Sequence, residues 1–201
     1  MAGRQECRNA EAESLQVQAL AGRRRVLGEE HPNTLASMSN LGALYLSQGR
    51  LSVAEPLFTQ GVEVGRRVLG PVHPSLKRYL TWLAKLWLAQ HRYAGAESLL
   101  REALNGPDNE RPESWEPLER QSLLGVSLME QLRFAEAEPW LISGCRGLLQ
   151  RRAAIPLPDR PAVERAGQGI IQLYDRWAKP EKSVEWHQQL QREGVSVAAA
   201  K

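Results

Sequence analysis

The sequence predicts an all-α fold, an α-solenoid in which antiparallel helix pairs stack side by side. The first observation behind this prediction is an Arg-x-x-x-Ala motif that occurs four times, with its alanines 42, 42 and 41 residues apart. These alanines are Ala12, Ala54, Ala96 and Ala137. The second observation is an Arg-Val-Leu-Gly-x-x-His-Pro motif at residues 25–32 and 67–74, again 42 residues apart. Two independent markers that share one period indicate a repeated structural unit.

A third observation identifies the unit as a pair of helices, because apolar residues recur every three or four positions on two successive segments. In the best-preserved unit the first helix carries Leu35, Met38, Leu41, Gly42 and Tyr45, and the second carries Val53, Ala54, Leu57, Phe58 and Val62. Gly42 and Ala54 are small, and we expect them where the two helices lie closest together.

Glycine and proline mark the expected helix ends. Gly49 is predicted to end a first helix, and Gly28 and Gly70 to end second helices, because glycine readily adopts positive φ there. The repeated His-Pro elements are predicted to start the next helices, with Asn33 and Ser75 as the capping side chains.

Taken in chain order, the markers divide the sequence into an array over residues 1–192 and a flexible tail over 193–201. Within the array we predict a lone second helix (8–27), three repeats (33–70, 75–105 and 113–153) and a closing helix pair (159–191) with a polar outer face. A polar loop is expected at 106–112. Because the first segment lacks a partner helix, we expect the chain to be a fragment that begins inside a repeat.

The segments Leu41-Gly42-x-x-Tyr45, Gln48-Gly49-Arg50 and Ala54-x-x-x-Phe58 resemble the tetratricopeptide repeat (TPR) signature. The long period and the Arg-x-Leu-Gly-x-x-His-Pro element resemble the kinesin-light-chain type of TPR in particular. This resemblance covers residues 8–190, and it implies a right-handed TPR superhelix whose concave groove, lined mainly by first helices, binds other proteins. Residues 173–182 are similar to the closing repeat of TPR tails on bacterial multidomain proteins, including some serine/threonine protein kinases.

Composition places the chain among globular proteins, with 42% hydrophobic residues, a mean hydropathy of -0.43 and a net charge of +3. No apolar run reaches the ~18 residues of a membrane span, and the N-terminus lacks the apolar region of a secretory signal. We therefore expect a cytoplasmic protein with no membrane contact, and the Arg-rich, Lys-poor usage suggests a bacterial source. Cys7 and Cys145 lie far apart and are predicted to be free thiols.

The sequence contains no catalytic or cofactor motif. His31 and His73 belong to the repeated His-Pro element, where we favour a structural role, and His91 and His187 are isolated. A HExxH motif, a spaced Cys/His set, a G-x-S-x-G elbow, a Walker loop and a G-x-G-x-x-G loop are all missing from the sequence. We predict a protein that is not an enzyme and that holds no metal or cofactor.

Each first helix is expected to turn one aliphatic residue toward its partner: Leu41, Leu83, Leu124 and Ile170. Side chains about 100° away on the helical wheel then point into the groove. The groove candidates are Asn40, Ala43, Ser47, Arg78, Trp82, Lys85, Ser122, Val126, Arg165, Gln168 and Gln172. Small residues leave space for a ligand, whereas Arg78, Lys85 and Arg165 supply cations, and an arginine can bind a carboxylate through two hydrogen bonds.

Trp82 stands where the kinesin-light-chain type has the asparagine seen here at Asn40. One interpretation is a hydrophobic anchor for a ligand, because aromatic residues dominate the binding energy of many interfaces. The other interpretation is packing between repeats. We favour packing for both Trp82 and Trp87, and more strongly for Trp87, because it occupies the position of Tyr45 in its own repeat.

Arginines cluster late in the second helices, at residues 23–25, 66–67 and 151–152. Placement near helix C-termini explains them, since a cation there stabilises by about 0.3–1 kcal/mol. A nucleic-acid surface is the alternative, but acidic neighbours such as Glu29 and Glu30 dilute the positive field and argue against it.

We predict a non-enzymatic scaffold that binds a peptide segment of another protein in the groove. The alternative is a regulatory TPR tail of a larger signalling protein, such as a bacterial serine/threonine kinase, and a third hypothesis is self-association. On the first hypothesis, substitutions at Arg78, Trp82 and Lys85 weaken partner binding without lowering the melting temperature.

Overall fold

The computed structural model of this protein describes residues 2–106 and 113–196, with side chains from residue 11 onward. Outside this description lie 107–112 of the predicted polar loop, 197–201 of the predicted tail and the side chain of Cys7. The described residues form the α-helices α1 (Ala2–Leu27), α2 (Pro32–Ser47), α3 (Leu51–Val68), α4 (Pro74–Ala89), α5 (Tyr93–Leu104), α6 (Glu116–Glu130), α7 (Phe134–Gln150), α8 (Pro161–Arg176) and α9 (Pro180–Arg192). Two short 3-10 turns, Arg152–Ala154 and Leu157–Asp159, lie between α7 and α8.

The chain divides into two compact units, Met1–Gln90 and His91–Lys201. Unit 1 contains α1 to α4, and unit 2 contains α5 to α9. Within each unit every helix packs on the next one in the chain, and the first helices also touch, α2 with α4 and α6 with α8. Within the described ranges all of this regular structure is helical, so the predicted all-α class built from stacked helix pairs is confirmed.

The core of each unit lies between paired helices, where small residues allow a close approach. A Cβ atom added to Gly42 would lie 2.6 Å from the Phe58 ring, and Ala54 is completely buried, as predicted for both positions. In unit 2 a Cβ atom on Gly144 would lie 2.6 Å from the backbone nitrogen of Ser122, so α6 and α7 meet at their backbones. The aliphatic residues expected to face the partner helices are buried too: Leu41, Leu83, Leu124 and Ile170.

The turn inside each helix pair places one residue at positive φ. Gly49 has this conformation, with φ 71°, and Gly28 and Gly70 end second helices at φ 87° and 84°, as predicted. The equivalent of Gly49 in later pairs carries a side chain: His91, Leu132 and Ala178, at φ 60°, 62° and 54°. A Cβ atom makes this conformation unfavourable by roughly 1–2 kcal/mol, so the repeat imposes its turn geometry on residues that do not prefer it.

Helices α2 and α4 are capped by histidine, and the prediction that Asn33 and Ser75 cap them is wrong. The Nδ1 atoms of His31 and His73 accept hydrogen bonds from the backbone N–H groups of Asn33 and Ser75, each at 3.1 Å. Each histidine has extended backbone and precedes the proline that opens the helix, so its ring folds back over the first turn. The repeated His-Pro element therefore has the structural role favoured for it.

The start of the predicted flexible tail differs from expectation. Val195 is 4% exposed, and its backbone N–H donates to the Leu190 carbonyl at 2.9 Å. Arg152 donates to the Glu193 carbonyl at 2.8 Å. Because these contacts satisfy the end of α9, the chain is held as far as Val195.

Candidate functional site

The groove candidates of unit 1 follow one stripe on each of two neighbouring first helices. They are Asn40, Ala43 and Ser47 on α2 and Arg78, Trp82 and Lys85 on α4. All six side chains are exposed or partly exposed, as a binding surface requires. Because α2 and α4 contact each other, we name this surface the first-helix face of unit 1.

Trp82 lies in the middle of the α4 stripe and is tied to the core below it. Its indole is parallel to the phenyl ring of Phe58, with 6.0 Å between ring centroids and 4° between the planes. Phe58 is fully buried. The Lys85 ammonium lies 4.4 Å from the centre of the same indole, which is a cation–π contact. Trp82 therefore packs on the core while part of its ring stays at the surface.

In unit 2 the candidates on α6 are engaged by neighbouring helices. Ser122 is 5% exposed and lies against Gly144 of α7, so it belongs to a helix contact and is not available to a ligand. Because α6 and α7 approach so closely, Ser122 is buried between them. Val126 is partly exposed, and its methyl group would lie 3.2 Å from a Cβ atom on Gly169 of α8.

The candidates on α8 are more accessible, but the one cation among them, Arg165, already forms an ion pair. Arg165 donates to the carboxylate of Glu119 at 3.1 Å, and the Glu119 side chain is only 7% exposed. Gln168 is partly exposed and Gln172 is exposed. Arg165 was expected to supply a cation to a ligand, whereas in the structure it neutralises a nearly buried carboxylate.

Sequence reasoning missed the glutamate that directly follows each marker alanine. These residues are Glu13, Glu55, Glu97 and Glu138. Each accepts hydrogen bonds from the next hairpin: Glu13 from Arg50, Glu55 from Trp87 and Gln90, Glu97 from Gln131 and Arg133, and Glu138 from Tyr174 and Lys182. We call them the junction glutamates, because they join one hairpin to the next. The Ala-Glu pair recurs at the period of the repeat, and that signal could have found them.

The junction glutamates of unit 2 are held in the ionised form. Burial opposes ionisation of Glu97, but hydrogen bonds from Gln131 and two arginines outweigh burial and hold its pKa below the ordinary value. A hydrogen bond from the Lys182 ammonium likewise lowers the pKa of Glu138. The contacts of Glu97 and Glu138 with the next hairpins are therefore strongest at a pH at which both carboxylates are charged.

Two of the arginines late in the second helices pair with glutamates. Arg24 pairs with Glu29 at 3.0 Å, and Arg67 pairs with Glu30. Such pairing removes positive charge that a phosphate backbone would use, which supports the structural interpretation over a nucleic-acid surface.

Neither a metal-binding cluster nor a reactive thiol is found among the described side chains. Among them, no group of three His, Cys, Asp or Glu residues is placed to hold a metal ion. Cys145 is a buried free thiol, as predicted, and burial raises its pKa to about 12, which removes thiolate character at neutral pH. Within the described ranges, each helix is too short or too polar to cross a bilayer.

Comparison with known proteins gives a family match and structural matches. Residues 4–67 match the tetratricopeptide repeat family model. No curated protein sequence matches the chain significantly. Two crystal structures of a Podosopora anserina protein of nearly identical TPR-like repeats, described as a kinesin light chain, are similar, with TM-scores of 0.74 and 0.72. They are 23% and 22% identical, and the matches cover 94% of this chain and 88% and 89% of those chains.

A third similar structure is BtubC (BKLC) from P. vanneervenii, with a TM-score of 0.74 and 17% identity over 98% of this chain and 79% of that chain. At these identities the likeness concerns the fold, and it agrees with the helix pairs described above. Residues 4–67 thus match the tetratricopeptide repeat family model, and over nearly its full length the chain has the fold of kinesin-light-chain-like TPR proteins.

Proposed function

We propose that this chain is a non-enzymatic scaffold that binds a peptide segment of another protein on the first-helix face of unit 1. Tetratricopeptide repeats generally serve protein–protein interaction, because stacked helix pairs offer an extended surface whose exposed residues vary while the core stays the same.

The observation that carries the proposal is the α4 stripe. Arg78 is exposed and forms no hydrogen bond or ion pair with any described residue. Four residues further along, part of the Trp82 ring reaches the surface, and Lys85 completes the stripe. An unpaired guanidinium beside a partly exposed indole suits a peptide with an acidic side chain next to an apolar one.

The small side chains of α2 complement this stripe. Asn40 and Ser47 are exposed and Ala43 is partly exposed, so they leave room for a peptide backbone. An amide side chain such as Asn40 can also donate to a peptide carbonyl and accept from a peptide N–H. We propose that α4 selects the side chains of the ligand while α2 contacts its main chain.

Charge reversal at Arg78 tests this proposal. The full-length chain and its Arg78→Glu variant are used to capture partners from a lysate of the source organism, and captured proteins are mapped by cross-linking to residues 32–47 and 74–89. Arg192→Glu is the matched control, because Arg192 is an exposed helical arginine in unit 2. We expect Arg78→Glu to lose a partner that Arg192→Glu retains. Equal capture by both variants, or cross-links that avoid α2 and α4, would contradict the proposal.

A regulatory tail of a signalling protein would use the same face on an attached domain. Reading the complete gene distinguishes the two, because the tail hypothesis requires a catalytic domain in the same reading frame.

A further inference from the structure

A cleft of about 770 Å³ lies on the other side of unit 1, between α1 and α3 with α2 as its floor. Its lining is mostly apolar: Val17, Leu20, Ala21, Arg24 and Arg25 from α1, Leu41 and Tyr45 from α2, and Val53, Pro56 and Leu57 from α3. This volume falls in the range of ligand-binding pockets in proteins. The cleft is separate from the first-helix face, because it is walled by second helices.

The two walls have helical periodicity. On α1 the lining residues Val17, Leu20 and Ala21 are spaced by three and four positions, and Val53, Pro56 and Leu57 repeat that spacing on α3. Val17 is 43% exposed and Val53 is 41% exposed, so the apolar walls face solvent. Parallel rows of side chains with this spacing accept the ridge of a third helix, the packing that helices use in proteins and in helix-in-groove recognition.

The last turn of α1 places two arginines, Arg24 and Arg25, at one end of the cleft. Arg24 pairs with Glu29 and donates to Gln60, whereas Arg25 is exposed and has no hydrogen-bond or ion-pair partner among the described residues. An occupant that placed a carboxylate at this end would meet an unmatched guanidinium. The chemistry of the cleft therefore combines an apolar stripe with one acidic position.

We propose that this cleft binds an amphipathic helix of a partner protein, with aliphatic side chains against α1 and α3 and an acidic side chain beside Arg25. This surface is distinct from the first-helix face, so the scaffold has a second binding site on unit 1. The two sites involve different helices and different arginines.

The equivalent place in unit 2 has a smaller cleft with different side chains. A smaller cleft of about 510 Å³ lies among α5, α6 and α7. Arg101 stands there in the repeat position of Val17, and Trp140 stands in the position of Leu57. A polar side chain and a large ring thus replace two aliphatic residues. Both replacements are compatible with the fold, because unit 2 carries them.

These replacements supply the test. Leu57→Trp and Val17→Arg each copy a residue of unit 2 into the cleft of unit 1. The probe is a fluorescent helical peptide of about 18 residues with leucines spaced by three and four positions and two glutamates after the last leucine. Binding to the full-length protein is measured by fluorescence anisotropy, and circular dichroism checks that each variant remains helical.

We expect Leu57→Trp and Val17→Arg each to weaken peptide binding about tenfold or more, because aliphatic contact is lost or blocked. Arg25→Glu is expected to weaken it about fivefold, as an exposed ion pair allows. Arg192→Glu should leave it unchanged, because Arg192 is an exposed helical arginine of unit 2 that lies outside both proposed surfaces. Absence of peptide binding to the parent chain, or equal binding by the parent chain and both cleft variants, would overturn the proposal.

A second copy of this chain is the competing occupant. Sedimentation at two protein concentrations detects it, and self-association that Leu57→Trp abolishes would replace the partner helix with another protomer and overturn the proposal as stated.

Discussion

Unit 1 and unit 2 are built from the same repeat, yet they use equivalent positions differently. Arg78 of unit 1 stands where unit 2 has Glu119 on α6 and Arg165 on α8. In unit 2 these two residues pair with each other at 3.1 Å, whereas Arg78 has no hydrogen-bond or ion-pair partner among the described residues. At this position unit 2 pairs its two charges with each other, whereas unit 1 leaves the charge of Arg78 available at its surface.

The second-helix side shows the same contrast. The cleft of unit 1 is lined mainly by aliphatic residues, while the smaller equivalent cleft of unit 2 is lined in part by Arg101, Glu102 and Trp140. One repeat can therefore supply either a binding surface or a stabilising element, according to which side chains occupy its variable positions. On this account unit 1 binds and unit 2 stabilises.

The largest expected effect tests the close packing of unit 2. Gly144→Ala places a Cβ atom 2.6 Å from the backbone nitrogen of Ser122 and 2.7 Å from the Leu118 carbonyl oxygen, and neither backbone atom can move cheaply. We expect the free energy of unfolding to fall by about 3 kcal/mol. Urea denaturation measures it. Gly22→Ala on α1 is the control, because no atom lies within 4 Å of its added Cβ, and we expect a gain of up to about 1 kcal/mol. Equal effects of the two variants on the free energy of unfolding would contradict the close packing of α6 and α7 at Gly144.

Trp82 tests whether the first-helix face of unit 1 is also structural. Because the indole stacks on buried Phe58, Trp82→Ala should lower the free energy of unfolding by about 2 kcal/mol. This prediction differs from the expectation from sequence that substitution at Arg78, Trp82 and Lys85 leaves the melting temperature unchanged. Arg78→Ala should change stability by less than about 0.5 kcal/mol. Thermal denaturation of both variants checks the result. A Trp82→Ala protein as stable as the parent chain would show that the Trp82 ring does not contribute to the core.

The helix pairs and their glycine turns could be predicted from the sequence because they follow from a period and a backbone preference. Gly49 is an example, since positive φ favours glycine wherever a helix must end. The burial of Ser122 could not be predicted, because it depends on how closely α6 and α7 approach at Gly144. The pairing of Arg165 with Glu119 likewise depends on the distance between two helices that sequence periodicity does not define.

The junction glutamates predict a pH dependence for unit 2. Glu97 has a lowered pKa in the folded protein, so its contribution to stability is present above the unfolded-state value of about 4.3 and is lost as the pH falls below it. Glu97→Gln should lower the free energy of unfolding at pH 7 by about 1–2 kcal/mol, and the difference from the parent chain should shrink as the pH falls. Urea denaturation across this pH range measures it. Glu63→Gln, at an exposed position of unit 1, serves as the control. A difference that persists at low pH would contradict the assignment.

The smallest expected effect concerns the hairpin turns. Leu132 is 66% exposed at φ 62°, so Leu132→Gly removes backbone strain and should raise the free energy of unfolding by about 1 kcal/mol. Gly49→Ala makes the opposite change at the equivalent turn of unit 1 and should lower it by about the same amount. Chemical denaturation of both variants compares the turns, and a destabilised Leu132→Gly protein would show that the leucine side chain matters more than the strain.

The most direct test of the division between binding and stabilising units is hydrogen exchange of the full-length chain, with and without a captured partner. We predict slower exchange on binding in unit 1, at residues 32–47 and 74–89 for a first-helix ligand, with little change at 116–130 and 161–176. Protection confined to the first helices of unit 2 would contradict the account, because there Arg165 is already paired with Glu119 and Arg176 with Glu130.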